Sequence, residues 1–284
     1  ACSCVSMARL PTMQSPSMRW PEGRHRAVTT SWDDGHIYDR KIVEIFNRHG
    51  VKGTFNLNSG FLDSGDRSRP HLASSEVAEL FAGHEVAVHS VSHPWPSRIP
   101  PTAWLAQVWD DKRRLEDLVG YPVRGAAWPF GDYDQRSIDT LATCGIAYCR
   151  TVGNHFQFHL PKAGSWLTWH PTGKHGDHAE SAWKRLRDIR PDQAKLLFMW
   201  SHGFELEDGD AYGWLDDWCG RLADHGEIWF ATNIEIFDYV EAWRALNWTT
   251  DQQVVHNGSA LTVWAQIADQ AVAIPPGTHR LDQR

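Results

Sequence analysis

The 284-residue chain contains no run of about 18 apolar residues, which excludes a membrane-spanning helix. Cysteine is sparse. Its five positions, Cys2, Cys4, Cys144, Cys149 and Cys219, are odd in number and widely spread, with no paired Cys-x-x-Cys spacing. That pattern excludes a disulfide framework and a thiolate zinc site, leaving reduced, buried thiols as the expectation. A basic surface is also missing: 28 Lys and Arg stand against 35 Asp and Glu, a formal charge of -7, and the cations are scattered. Nucleic acid is therefore excluded as a partner. The first 17 residues, interrupted by Arg9, Pro11, Gln14 and Pro16, lack the continuous apolar stretch of a signal peptide and read as a disordered lead-in. Met18, followed by Arg19-Trp20-Pro21-Glu22-Gly23, reads as a natural start, and the missing secretion signal favours the cytoplasm and a soluble saccharide over cell-wall polymer.

Tryptophan, by contrast, is abundant at 16 residues. Indole faces hold sugar rings and also fill cores, and most of these are assigned to the core. From residue 27 the chain alternates short β-like runs with amphipathic helical stretches, the pattern of parallel strands joined by crossover helices. Strands are expected at 27–32, 54–57, 85–88, 125–128, 146–150, 196–200 and 228–231. Helices are expected at 40–48, 74–81, 100–119, 134–143, 178–189, 213–224 and 233–245. Beyond Asn247 the helical period disappears, and short strands around 254–255, 261–263 and 271–273 indicate a small structural β appendage. The expected organisation is a lead-in over 1–17, an α/β barrel over 18–247 and the appendage over 248–284.

Three strand ends carry chemistry. The first ends in Ser31-Trp32-Asp33-Asp34-Gly35, where adjacent carboxylates repel unless a cation relieves them. The third runs into His89-Ser90-Val91-Ser92-His93, and two His four residues apart on a helical turn can grip one divalent metal. One Asp and two His leave a coordination position open for water, as in catalytic rather than structural zinc sites. The strand at 196–200 leads into Ser201-His202-Gly203, a further His at the barrel end where parallel barrels gather active residues.

These motifs, in this order, resemble the polysaccharide deacetylase (NodB-homology) family, carbohydrate esterase family four, over residues 20–245. The resemblance implies a distorted seven-stranded (β/α) barrel and a metal-dependent hydrolase that removes acetyl groups from an N-acetylated or O-acetylated oligo- or polysaccharide. It further implies Asp33 as catalytic base, with Asp34, His89 and His93 as ligands of one divalent metal, Zn²⁺ first and Co²⁺, Mn²⁺ or Ni²⁺ as alternatives. His202 would be the general acid. Ala127-Trp128-Pro129-Phe130-Gly131 resembles the motif that lines the site, with Phe130 donating an oxyanion-holding N–H. Trp95, Trp128 and Tyr133 are candidates for a sugar-stacking wall.

One departure stands out. The family's Arg, two residues before the motif's Pro, pairs with the base Asp; here that place holds Ala127. Arg150 and Arg124 are candidate replacements, although a surface ion pair is the expected fate of each. The family's Asp/Trp motif is also lacking between Arg150 and Lys195, where Trp166, Trp169 and His170 have no assigned role. Two other readings stay open: a metal-dependent hydrolase of a small non-sugar amide or imide, and a carbohydrate-binding barrel without catalysis.

Overall fold

The computed structural model describes residues 15–65, 70–189, 193–207 and 210–281. Eight parallel strands form a curled sheet: β2 (Arg26–Asp34), β3 (Thr54–Leu57), β4 (Glu85–Val88), β5 (Gly125–Ala127), β6 (Tyr148–Arg150), β7 (Gly173–Lys174), β8 (Lys195–His202) and β9 (Ile228–Phe230). A first strand, β1 (Ser17–Arg19), belongs to a separate small sheet. The order β6-β5-β4-β3-β2-β8-β7, with β9 also beside β2, contains the seven expected strands and adds the two-residue β7. The fold is thus the distorted (β/α) barrel that the motifs implied.

The crossover helices bury the apolar face that their periodicity predicts. In α1 (Asp39–His49), Ile42, Val43, Ile45 and Phe46 are buried; Gly50 then ends the helix at φ 66° and donates its N–H to the Phe46 carbonyl. Only glycine enters that left-handed region at low cost. Helices α2 (Val77–Leu80), α3 (Pro101–Val119), α4 (Gln135–Thr143), α5 (Asp177–Asp188), α6 (Ala211–Asp224) and α7 (Asn233–Arg244) complete the layer. Asp134 caps α4 by accepting from the Ser137 N–H at 2.9 Å. Cys144, Cys149 and Cys219 are free and buried, as expected.

Strand register gathers the site. Asp33 of β2 lies opposite Asn56 of β3 on one side and His202 of β8 on the other. Leu57 lies opposite Val88, so His89 emerges one step past the end of β4, and Ala127 of β5 lies opposite Arg150 of β6. These are the carboxyl ends of parallel strands, where such folds carry their chemistry.

The segment holding Trp166, Trp169 and His170 bridges the gap between β6 and β8. The Trp169 N–H donates to the Cys149 carbonyl and the Thr151 N–H to the Trp169 carbonyl, both at 3.0 Å; three residues on, the Thr172 N–H donates to the Phe198 carbonyl at 2.8 Å. Trp166 and Trp169 are buried in the core, and His170 meets the Thr151 hydroxyl.

After α7, strands β10 (Asn247–Trp248), β11 (Val254–Asn257), β12 (Val263–Ile267), β13 (Gln270–Ile274) and β14 (Gly277–Arg280) form two small antiparallel sheets. One of them takes in β1: Ser17, placed in the lead-in by the sequence reading, pairs with Gln266. Residues 1–14 of that lead-in lie outside the described residues. Tyr239 ties α7 to this sheet, its hydroxyl donating to the Arg19 carbonyl at 2.7 Å and accepting from the Trp264 N–H at 2.8 Å. No helix among the described residues is long and apolar enough to cross a membrane.

Candidate active site

Asp34, His89 and His93 converge. The two Nε2 atoms are 3.1 Å apart, and Asp34 Oδ1 lies 3.6 Å from that of His89 and 3.8 Å from that of His93. Among the described residues this is the group of acidic, His and Cys side chains whose donor atoms are close enough to hold a metal ion. The His89 Nδ1–H donates to the Ala127 carbonyl at 2.8 Å, which fixes the tautomer and leaves the Nε2 lone pair aimed at the cluster. Burial lowers the pKa of both imidazoles, that of His89 to about 3, so both are neutral near pH 7. Two neutral imidazoles and a carboxylate, with their donor atoms this close together, form a set that fits a divalent cation.

Asp33 sits beside this cluster, 2% exposed. Both of its oxygens accept from Arg150 Nη2, and Asn56 Nδ2 donates to Oδ1 at 2.8 Å. Burial alone would raise its pKa, but the Arg150 charge, with His89 and His202, holds it below the usual carboxylate value. His202 Nε2 lies 3.8 Å from Asp33 Oδ2, and Glu205 Oε2 lies 3.5 Å from His202 Nδ1. Burial pushes the His202 pKa down; the Glu205 contact and the charges of Asp33 and Asp34 outweigh it and raise the pKa. Glu205 is itself held by Lys174 at 2.6 Å and by the Ser201 hydroxyl at 2.8 Å. Burial works against its ionisation, yet these partners and His202 keep it far below the ordinary carboxylate range.

Asp33, Asp34, His89, His93 and His202 all open onto one cavity of about 830 Å³. Its walls include Phe61, Phe130, Val152, Trp200 and Phe204 together with His36, His71, Ser64 and Ser92.

Residues 21–149 match the family model "Polysaccharide deacetylase". Over that stretch the chain is similar to the polysaccharide deacetylase family. A chitooligosaccharide deacetylase from Bradyrhizobium sp. is 28% identical over 125 residues, covering 43% of this chain and 54% of that protein. The chain spans between a third and about half of the length of the curated relatives it matches. Among solved structures, a candidate polysaccharide deacetylase from Mycobacterium smegmatis superposes with a TM-score of 0.60 at 15% identity, over 82% of this chain and 96% of that one. A family 4 acetyl xylan esterase from Clostridium thermocellum, solved with a cobalt ion, superposes with a TM-score of 0.50 at 16% identity, over 74% and 90%. At such identities these two likenesses establish the fold.

The site differs from the sequence reading in two respects. Arg150 is not in a surface ion pair: it is 0% exposed and pairs with Asp33 from the strand next to the one carrying Ala127. Because Ala127 and Arg150 are register partners, the guanidinium reaches Asp33 from β6 where the family's Arg would reach it from β5. Arg124 does form the expected half-exposed pair, with Asp238 at 2.8 Å.

The second difference concerns the aromatic wall. Trp128 borders the cavity but is 1% exposed, its ring packed against Trp104 and Tyr133 and its Nε1–H donating to the Leu167 carbonyl at 2.8 Å, so most of its surface is spent on the core. Tyr133 packs on the core and does not line the cavity. Trp95 is exposed, but one face stacks on Phe130 at 4.1 Å and the other carries the Arg98 guanidinium at 4.1 Å. Phe130 does line the cavity. Asn56, Glu205, Phe61 and Phe204 were not anticipated. Glu205, three residues beyond His202, was the one with a readable signal: an acid spaced to fold back on the imidazole.

Proposed function

We propose that this domain is a metal-dependent hydrolase that removes acetyl groups from an N-acetylated, or alternatively O-acetylated, oligo- or polysaccharide. One observation carries the reading: a three-donor cluster, an ionised buried Asp and a protonatable His share one face of a single cavity. Asp34, His89 and His93 are the proposed ligands, and a divalent metal there supplies a Lewis acid that polarises the acetyl carbonyl and acidifies water. The two-nitrogen, one-oxygen donor set suits Zn²⁺, our proposal, as well as Co²⁺, Mn²⁺ or Ni²⁺.

Asp33, kept ionised by Arg150 and oriented by Asn56, takes the proton of the attacking water. The Phe130 N–H, in a turn at φ 58°, stabilises the developing oxyanion. His202, its pKa raised by Glu205, then delivers a proton to the departing amine or alcohol. The named activity of the Bradyrhizobium relative supports an N-acetylated saccharide. The apolar lining from Phe61, Val152 and Phe204 favours a second reading, a small non-sugar amide, which a screen of such amides discriminates. Asp33→Asn should abolish turnover while metal binding persists; His89→Ala should lose both, and an active His89→Ala enzyme would sink the scheme.

A further inference from the structure

Trp95 stands beside Phe130, a wall of the cavity, and its indole is engaged by both Phe130 and Arg98. Arg98, Trp95 and Phe130 form a continuous ladder. The guanidinium lies 4.1 Å from the indole, the indole lies 4.1 Å from the Phe130 ring at 6°, and that ring lies 4.3 Å from the His93 imidazole at 73°. Beside the ladder, the Ser97 N–H and hydroxyl donate to the two Asp132 oxygens at 2.8 and 2.9 Å. The segment after His93 and the turn around Phe130 are thus clamped together twice.

The clamp joins two unusual backbone positions. His93 and Phe130 both hold left-handed conformations, φ 53° and 58°, which non-glycine residues rarely adopt unless their surroundings impose them. One presents a donor of the metal cluster and the other the N–H assigned to the oxyanion. We propose that Trp95 is a positioning residue, which, with Arg98 as its outer cap, fixes the His93 imidazole and the Phe130 turn relative to each other instead of stacking a sugar. The inference rests on the metal-site reading above.

The test is Zn²⁺ affinity, by calorimetry, and the Co²⁺ absorption spectrum, for the metal-stripped wild type, Trp95→Ala, Trp95→Phe and Arg98→Ala, with KM and kcat on an N-acetylated chito-oligosaccharide. Trp95→Ala should weaken metal binding about 10-fold or more, in the range seen when groups supporting a ligand are removed, alter the Co²⁺ spectrum and lower kcat with KM little changed. Trp95→Phe, which keeps a ring plane, should recover most of the affinity, and Arg98→Ala should shift it in the same direction by less. Equal metal affinity and spectra in wild type and Trp95→Ala, or a rise in KM alone, would overturn the clamp and leave the metal site standing. A wild type that binds no metal would overturn the underlying reading as well.

Discussion

Replacing Arg150 by Met removes one charge from a fully buried pair and leaves the Asp33 carboxylate with Asn56 as its remaining close donor. Stranding a buried charge in this way costs about 3–5 kcal/mol, whereas breaking an exposed pair costs about 1 kcal/mol or less. Arg124→Met, which breaks the half-exposed pair with Asp238, is the internal control. The cost also depends on pH. Since Asp33 has a folded pKa below its unfolded value, its pairing contributes stability above the unfolded value of about 3.9, and loses it as pH falls through the folded value. The Arg150→Met deficit should therefore be full at pH 7 and shrink toward zero as the carboxylate is protonated. Urea denaturation of both variants at pH 7 and at the lowest pH where the wild type stays folded measures this. Adding Asp33→Asn to Arg150→Met should recover part of the loss. A deficit at pH 7 no larger than that of Arg124→Met, or one independent of pH, would refute the buried pair.

Glu205→Gln should lower the His202 pKa, because the group that most strengthens its charged form is gone; the high-pH limb of kcat moves to lower pH, and an unmoved limb would release Glu205 from that role. Glu85 is buried beneath Tyr148, Thr54 and the Ile234 N–H, and burial raises its pKa to about 7. A carboxyl with a folded pKa above its unfolded value stabilises most at low pH, so stability should fall between about pH 4.5 and 7, by at most about 3 kcal/mol, then level off. Glu85→Gln should reduce that slope in denaturation midpoints measured from pH 5 to 8.

Residues adjacent in sequence were the legible ones. Asp33 and Asp34 share a strand end, and His89 and His93 lie four residues apart in the segment after β4; that segment is not the helical turn expected, since Ser90 and His93 hold φ 67° and 53°, yet it still brings the two imidazoles together. Arg150 was hidden because its role depends on which strands are neighbours and in what register: one step across the sheet puts it opposite Ala127. The same holds for Asn56, opposite Asp33. With Arg150 beside Asp33, the vacancy at Ala127 no longer argues for a barrel without catalysis. The aromatics were hard to read for another reason. Composition counts indoles but says nothing about their faces, and in Trp95 and Trp128 those faces are largely taken by Arg98, Phe130, Trp104 and Tyr133. Closure of the barrel by residues 166–175 was likewise invisible, since that segment carries almost no periodicity.

A metal-dependent deacetylase releases acetate from its substrate, and only with metal bound. Metal-stripped protein is incubated with N-acetylated chito-oligosaccharides and with acetylated xylan, with and without Zn²⁺ or Co²⁺. Acetate should appear from at least one substrate only when metal is restored, and none should appear with the Asp33→Asn variant. Metal that binds without any release, or release that is indifferent to metal, would contradict the deacetylase reading.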